Sequence, residues 1–276
     1  MPKVSDKIDT TIGLGILSWR GYRSLDNALQ SYNSEQFFSL FDDTMIFLPD
    51  PDVSVKAVAR KYPTRVETSS QNLGILNGME EIAKRLQTEY IFFTENDCPL
   101  VEPQHEALRQ INKALELLLR NKACMARMRH TRDFGELFDT LDKYYRYHPK
   151  PDTLTAKTRR LMRPEKARRI IGTSIYGEDA PAAKFPNYIS KPDDGFYLVD
   201  TTVMPWTNQS IIINRRFFLQ TIIPYCKSVP FKRGANGFRN LEIELNRSKF
   251  WTNSGWKIAC GLGLLTHERH EDRGYT

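Results

Sequence analysis

Two acids flank an asparagine at Glu95-Asn96-Asp97, where the apolar run that starts at Tyr90-Ile91-Phe92-Phe93 stops. Carboxylates at i and i+2 on a strand terminus can aim oxygens at one hard divalent cation, which keeps waters and takes substrate phosphates as further ligands. An ordinary strand closing on an acidic turn has the same residues. A second acidic pair, Glu242 and Glu244, follows Asn240. Asn is a preferred N-cap, so both carboxylates fall in the first turn of a helix, where their ordinary role is to stabilise its dipole. The polar, glycine-bearing segment 69–78, with Asn72 and Gly74, leads into a helix. Such a loop presents backbone N–H groups to an anion, or is a routine turn. Lys157, Arg159, Arg160, Arg163, Lys166, Arg168 and Arg169 form a basic cluster: a solvated helix face, or a contact for substrate phosphates or an anionic acceptor.

These residues need a scaffold, and the chain is long enough to supply one. Its 276 residues, 40% hydrophobic and 11% aromatic, suit one large globular domain or two small ones. A net charge of +7 suggests an anionic partner without choosing among nucleic acid, a membrane surface and a phosphorylated small molecule. Cys98, Cys124, Cys226 and Cys260 are far apart, match no zinc spacing and read as reduced thiols. With no N-terminal apolar leader and no membrane-spanning run, the expected location is cytoplasmic.

Residues 10–18 are the first strand, ending at Ser18-Trp19-Arg20-Gly21, and Tyr22, Leu25, Leu29 and Tyr32 follow at helical spacing. A second strand over 44–48 closes on Pro49-Asp50-Pro51-Asp52, then come a short helix over 53–61 and a strand over 64–68. Ile75, Met79, Ile82 and Leu86 mark the next helix, and the run from Tyr90 is the fourth strand, apolar enough to be buried on both faces. The alternation predicts an α/β fold with a mainly parallel central sheet flanked by helices, whose ligands bind off the carboxyl ends of the strands. Ser18 to Arg20, Asp50, Asn72 to Gly74 and Glu95 to Asp97 then lie along one rim. Beyond it the sequence predicts a helix over 102–121, a strand over 123–128, and a helix carrying Phe134, Leu137, Leu141 and Tyr144. A long loop over 177–195 follows, then strands over 196–200 and 210–213, a helix from Arg215 ending near Pro224, and a flexible loop over 234–237. Residues 1–9 and the segment after His270 read as polar tails.

In this order the segments resemble nucleotide-sugar glycosyltransferases of the GT-A fold, particularly family 2-like inverting enzymes, over most of the chain and least over residues 131–195. Ile16-Leu17-Ser18-Trp19-Arg20 with Leu25 and Ser31-Tyr32 looks like that family's first strand and helix. Asn72-Leu73-Gly74 with Asn77-Gly78 is similar to its Asn-x-Gly loop beside the nucleotide, and Phe93-Thr94-Glu95-Asn96-Asp97 to its Asp-x-Asp metal motif, with Glu in the first place. Leu241-Glu242-Ile243-Glu244-Leu245 followed by Arg247 looks like the segment that supplies the catalytic base. Gly263-Leu264-Leu265-Thr266-His267 is similar to the C-terminal strand whose His completes the metal site. The usual Glu-Asp pair before the helix is missing: aligning on Phe238 puts Arg239 and Asn240 there, whereas aligning on Leu245 and Arg247 gives Glu242. The second register is preferred because Asn cannot accept a proton at neutral pH, and Glu244 stays open. The second-strand acid at the nucleotide base is Asp50 or Asp52. Within the family the likeness is to small glycosyltransferases of large algal viruses, a resemblance that would imply a host cytoplasm if the protein is viral.

The resemblance implies a single GT-A domain, with residues 1–101 as the nucleotide-sugar half and 102–276 as the acceptor half, carrying a helical and loop insertion over about 131–195. It implies Mn²⁺ or Mg²⁺ on Glu95, Asp97 and His267, and the nucleotide sugar on Ser18, Arg20, Asp50, Asn72, Gly74, Glu95 and Asn96. Sugar would pass from a nucleoside diphosphate sugar, a UDP-sugar such as UDP-xylose or a UDP-hexose, to a hydroxyl of an oligosaccharide or glycoprotein glycan. The transfer inverts, with Glu242 or Glu244 as base, and Trp206 and Trp251 either stack on acceptor sugars or pack in the core. Two other classes compete. A nucleotidyltransferase or sugar-phosphate activating enzyme wants a glycine-rich basic loop after the first strand, and Ser18-Trp19-Arg20-Gly21 is poor in glycine. A basic nucleic-acid-binding module would bind with steep salt dependence; no nucleic acid is expected as partner.

Overall fold

The computed structural model describes residues 9–192, 195–231, 234, 237–246 and 248–271. Residues 1–8 of the N-terminal tail, 235–236 of the predicted loop, Arg247 and residues 272–276 of the charged tail lie outside the described residues.

Four strands form where apolar runs meet polar stops: β1 (Ile12–Leu17), β2 (Asp43–Pro49), β3 (Arg65–Ser69) and β4 (Tyr90–Glu95). They pair in parallel in the order β3-β2-β1-β4. The register sets Leu17 level with both Phe47 and Glu95, and Pro49 level with Ser69. The four carboxyl ends therefore share one rim, as the alternation predicts.

The remaining strands are β5 (Met125–Arg129), β6 (Ile189–Ser190), β7 (Tyr197–Asp200), β8 (Ile211–Asn214) and β9 (Lys257–Leu265). Among the described residues all nine form one sheet, ordered β3-β2-β1-β4-β8-β5-β9-β7-β6. The far half is mixed: β8 runs antiparallel to both neighbours, β5 and β9 are parallel, and β7 and β6 add antiparallel edges. The predicted long loop over 177–195 thus carries a two-residue strand, and also a short helix, Pro181–Lys184.

Apolar helix faces cover both sides of the sheet. Tyr22–Ser34 and Gln104–Leu119 pack on one side with Leu25, Leu29, Ile111 and Leu115 buried. Gly74–Arg85 packs on the other with Met79 and Ile82, and a Cβ on Gly15 would lie 2.3 Å from Ile82 Cγ2. Glycine at that position lets this helix approach β1. The helix Tyr22–Ser34 has no side-chain cap of its own; Glu271 supplies one from the chain's end, accepting from Arg23 N at 2.9 Å and Ser24 N at 3.2 Å.

Two helices differ from their sequence patterns. The helix expected through Phe134 and Leu137 begins only at Asp139 and runs to Tyr147. Gly135 adopts φ +72°, and the Arg129 guanidinium holds the carbonyls of Phe134 and Glu136, which bends this stretch into a loop. The helix from Arg215 continues past Pro224 to Ser228. A widened π turn over Phe218–Ile222 precedes the proline. Pro lacks an N–H and its ring clashes with the carbonyl a turn earlier; a wider turn relieves both.

Trp251 and Trp206 are core residues at 0% and 2% exposure. Their indole N–H groups donate to Met204 O and Asn208 Oδ1, and their rings meet edge to face.

Candidate active site

At the rim, Asn96 donates from Nδ2 to the carbonyls of Arg20 at 2.9 Å and Gly21 at 3.3 Å. It ties the first βα turn to the end of β4 and so fixes the turn's shape. Arg20 sits in the left-handed region at φ +57°, with its guanidinium over the Trp19 ring. Ser18 is fully buried and its Oγ has no hydrogen-bond partner. Asp52 caps the helix Val53–Ala59 through Val55 N at 2.8 Å, while Asp50 is exposed at the end of β2 with φ +48°. Of the two acids, Asp50 has the free carboxylate position at the rim. The Asn72 loop is less open to an anion than its sequence suggests, because Asn72 Oδ1 accepts from Gly74 N at 2.9 Å. Gly74 is left-handed at φ +69°, and a Cβ there would lie 2.4 Å from Phe238 Cβ.

The rim is completed from the far end of the chain. Residues just past β4 pair with the end of β9: Thr266 N donates to Pro99 O, Glu268 N to Asp97 O, and Val101 N to Leu264 O. A register shift between Arg127 and Arg129 opposite β9, with Gly263 at φ +89°, sets how far β9 reaches. These pairings bring His267 Nε2 to 3.3 Å from Asp97 Oδ2, and Asp97 is fully buried. Arg269 approaches the same oxygen at 3.2 Å. Glu136 Oε2 lies 3.4 Å from His267 Nδ1, so a carboxylate orients the imidazole and leaves Nε2 facing Asp97.

Two ligand atoms at right angles around a small divalent cation stand about 3 Å apart, given bonds of about 2.1 Å. The Asp97–His267 separation fits that spacing. Among the described residues no three His, Cys, Asp or Glu side chains gather for a metal ion. An ion here would take two protein ligands and fill its other positions from water and phosphate, as Mg²⁺ commonly does.

Beyond His267 opens a cavity of about 550 Å³, lined in part by Arg127, Arg129, Tyr176, Trp206, Glu242 and His267. Asn240 caps the short helix Leu241–Leu245, as its type suggests, accepting from Glu242 N at 2.8 Å. Glu242 Oε1 accepts from Asn208 N at 3.0 Å, and Asn208 Nδ2 donates to Asn240 Oδ1 at 3.2 Å. This small network fixes the carboxylate at the cavity wall. Burial raises the Glu242 carboxyl above the ordinary carboxylate range, against the hydrogen bond from Asn208 and the charge of Arg127, which lower it.

Glu244 points elsewhere: it pairs with Arg239 at 3.4 Å and does not line the cavity. Glu244→Gln is therefore expected to cost about 1–3 kcal/mol of stability through the weakened bond to Arg239, read by urea unfolding.

The basic cluster is not part of this cavity. It lies on the helices Leu154–Met162 and Pro164–Arg168 and around their ends, with Arg160 paired to Asp152 and Arg168 to Glu165. Three cavity residues escape motif reading. Arg127 and Arg129 alternate with Met128 on a fully buried strand, and that alternation of charge inside an apolar run is the signal that marks them. Glu136 carries no sequence signal, since its partner His267 is brought to it by tertiary pairing.

No protein-family model and no curated protein matches the chain. Among solved structures it is similar to S. aureus TarS 1-349 in complex with UDP-GlcNAc, with a TM-score of 0.52 at 10% identity, over 95% of this chain and 60% of that one. It is also similar to glucosyl-3-phosphoglycerate synthase from Mycobacterium tuberculosis in complex with Mn²⁺, UDP and glucosyl-3-phosphoglycerate, with a TM-score of 0.50 at 12% identity, over 95% of this chain and 74% of that one. These are GT-A glycosyltransferase structures, and the chain has their fold.

Proposed function

We propose that the protein is an inverting glycosyltransferase that moves a sugar from a nucleoside diphosphate sugar, a UDP-sugar in the first place, to a hydroxyl of a glycan acceptor. The reading rests on one observation above the rest: His267, paired with the buried Asp97 at the end of β4, lines the same cavity as Glu242. A charge-binding pair thus adjoins a buried carboxylate, on a fold shared with an enzyme structure holding UDP and Mn²⁺. Residues 1–101 form the nucleotide side in this reading and residues 102–276 the acceptor side.

Asp97 and His267 would hold Mn²⁺ or Mg²⁺, which when bound neutralises charge on the departing diphosphate. Ser18, Arg20, Asp50, Asn72 and Gly74 flank the nucleotide, and Asn96 keeps the Arg20-Gly21 turn in place for it. Glu242 removes the proton of the acceptor hydroxyl as its oxygen bonds to the anomeric carbon, on the face opposite the breaking bond to the diphosphate. Its raised pKa makes it a stronger base than an exposed glutamate, provided the pH is high enough to ionise it.

A thermal-shift screen over UDP, GDP, CDP and their sugars, with and without Mn²⁺, tests this. A nucleotide present at a hundred times its Kd should raise Tm by roughly 5–10 °C, with UDP plus Mn²⁺ the most effective pair. Stabilisation by no nucleotide, or by nucleic acid with a steep salt dependence, overturns the reading.

A further inference from the structure

The cavity contains two buried arginines that the proposed transfer does not use. Arg127 and Arg129 project from β5 at i and i+2, on one face of the strand, and are only 6% and 9% exposed. Among the described residues neither guanidinium meets a carboxylate within 4.0 Å. Their hydrogen-bond partners are neutral: Arg127 meets Pro205 O and the Tyr176 hydroxyl, and Arg129 donates to Phe134 O, Glu136 O and Gln209 Oε1. Arg127 Nε is buried with no hydrogen-bond partner.

The acids that share the lining are otherwise engaged. Glu136 faces His267, Asp139 pairs with Lys143, and Glu242, which feels the charge of Arg127 without meeting it within 4.0 Å, accepts from Asn208 N. Buried charges are ordinarily paired, because removing an ion from water costs several kcal/mol unless a counter-charge offsets it. A guanidinium with unused donors in a water-accessible cavity is suited to a carboxylate or phosphate from outside, which it can grip at two points.

We infer that Arg127, backed by Arg129, binds an anionic substituent, phosphate or carboxylate, carried by the acceptor close to its reactive hydroxyl. The inference rests on the glycosyltransferase reading for the word acceptor. The placement comes from the cavity: Arg127 shares it with Glu242, the proposed base, and Ser18, Arg20, Asp50 and Asn72 of the nucleotide rim are not in its lining. Arg129 also folds back the loop that carries Glu136, so Arg127 is the cleaner probe.

The test is calorimetric titration of inorganic phosphate into the full chain saturated with UDP and Mn²⁺, so that the nucleotide site is filled. Phosphate is expected to bind, and Arg127→Gln to weaken it by roughly ten- to a hundredfold, with Arg127→Lys recovering part of the loss. UDP–Mn²⁺ stabilisation should be unchanged in both variants, which also reports that they fold. Four results overturn the inference: no phosphate binding to the UDP-loaded wild type, displacement of phosphate by UDP, equal phosphate binding in Arg127→Gln, and displacement by UDP-glucuronate but not by UDP-glucose. The second assigns the arginines to the diphosphate and the last to the donor sugar. If UDP itself fails to stabilise the wild type, the glycosyltransferase reading fails first. Phosphate binding without nucleotide, lost in Arg127→Gln, would then support the anion site alone and overturn its assignment to an acceptor.

Discussion

Glu242→Gln is expected to lower sugar transfer by roughly a hundredfold or more while leaving UDP binding unchanged. Gln keeps the shape of the side chain and an oxygen to accept from Asn208 N, so the network around the cap at Asn240 survives. What it removes is the capacity to take a proton. In the wild type, kcat/KM should fall as pH drops through the raised pKa of Glu242, so the acid limb should lie above the range of an ordinary glutamate. The same shift has a stability consequence of definite sign. A carboxyl whose folded pKa lies above its unfolded value favours folding below the unfolded value and loses that advantage as pH rises through the folded one. Once the pH exceeds the unfolded value, Glu242 is therefore a cost to the fold, and Glu242→Gln should unfold at a higher temperature than wild type at pH 7, with the gap closing at acid pH. A variant that loses transfer and stability together would mean a damaged fold; one that keeps transfer would dismiss Glu242 as the base.

How far this site could be read in advance depended on the kind of interaction involved. The rim of β1, β2, β3 and β4 was legible because each strand is an apolar run with a polar stop, and parallel pairing then aligns the stops with no further information. Glu242 was legible through its neighbour, since Asn240 is a strong cap and fixes where the helix starts. Which of Glu242 and Glu244 lines the cavity was not, because it turns on Asn208 and Arg239, residues brought close only by folding. The far half of the sheet resisted for a related reason. β8 enters between β4 and β5 in the antiparallel sense, and an isolated apolar triplet such as Ile211-Ile212-Ile213 carries no mark of its direction. Phe134 and Leu137 keep helical spacing but lie in a loop, because the grip of Arg129 on two carbonyls outweighs a few tenths of a kcal/mol of helix propensity. Tryptophan types likewise do not reveal exposure: Trp251 suits sugar stacking chemically yet is sealed in the core.

Asp97→Ala should abolish the extra thermal stabilisation that Mn²⁺ gives to UDP binding, and with it most of the transfer activity. Asp97 is fully buried and carries both His267 and Arg269 on one oxygen, so its loss has two parts. Removing Asp97 leaves His267 and the partly exposed Arg269 without their carboxylate; solvent screens part of that loss, but it lowers the Tm of the unliganded protein whether or not a metal ever binds. The metal contribution must therefore be read as an increment: the rise in Tm on adding Mn²⁺ to the UDP-loaded variant, measured from that variant's own baseline. His267→Ala separates the parts further, since it leaves the Asp97–Arg269 pair intact and removes a ligand but not a buried carboxylate. It should keep most of the baseline Tm while weakening Mn²⁺ affinity, and Glu136→Gln, which only loosens the imidazole's orientation, should weaken it by roughly ten- to a hundredfold. If all three variants keep the wild-type Mn²⁺ increment, then Asp97 and His267 form a structural pair under Arg269, and charge on the leaving diphosphate must be met by protein cations instead.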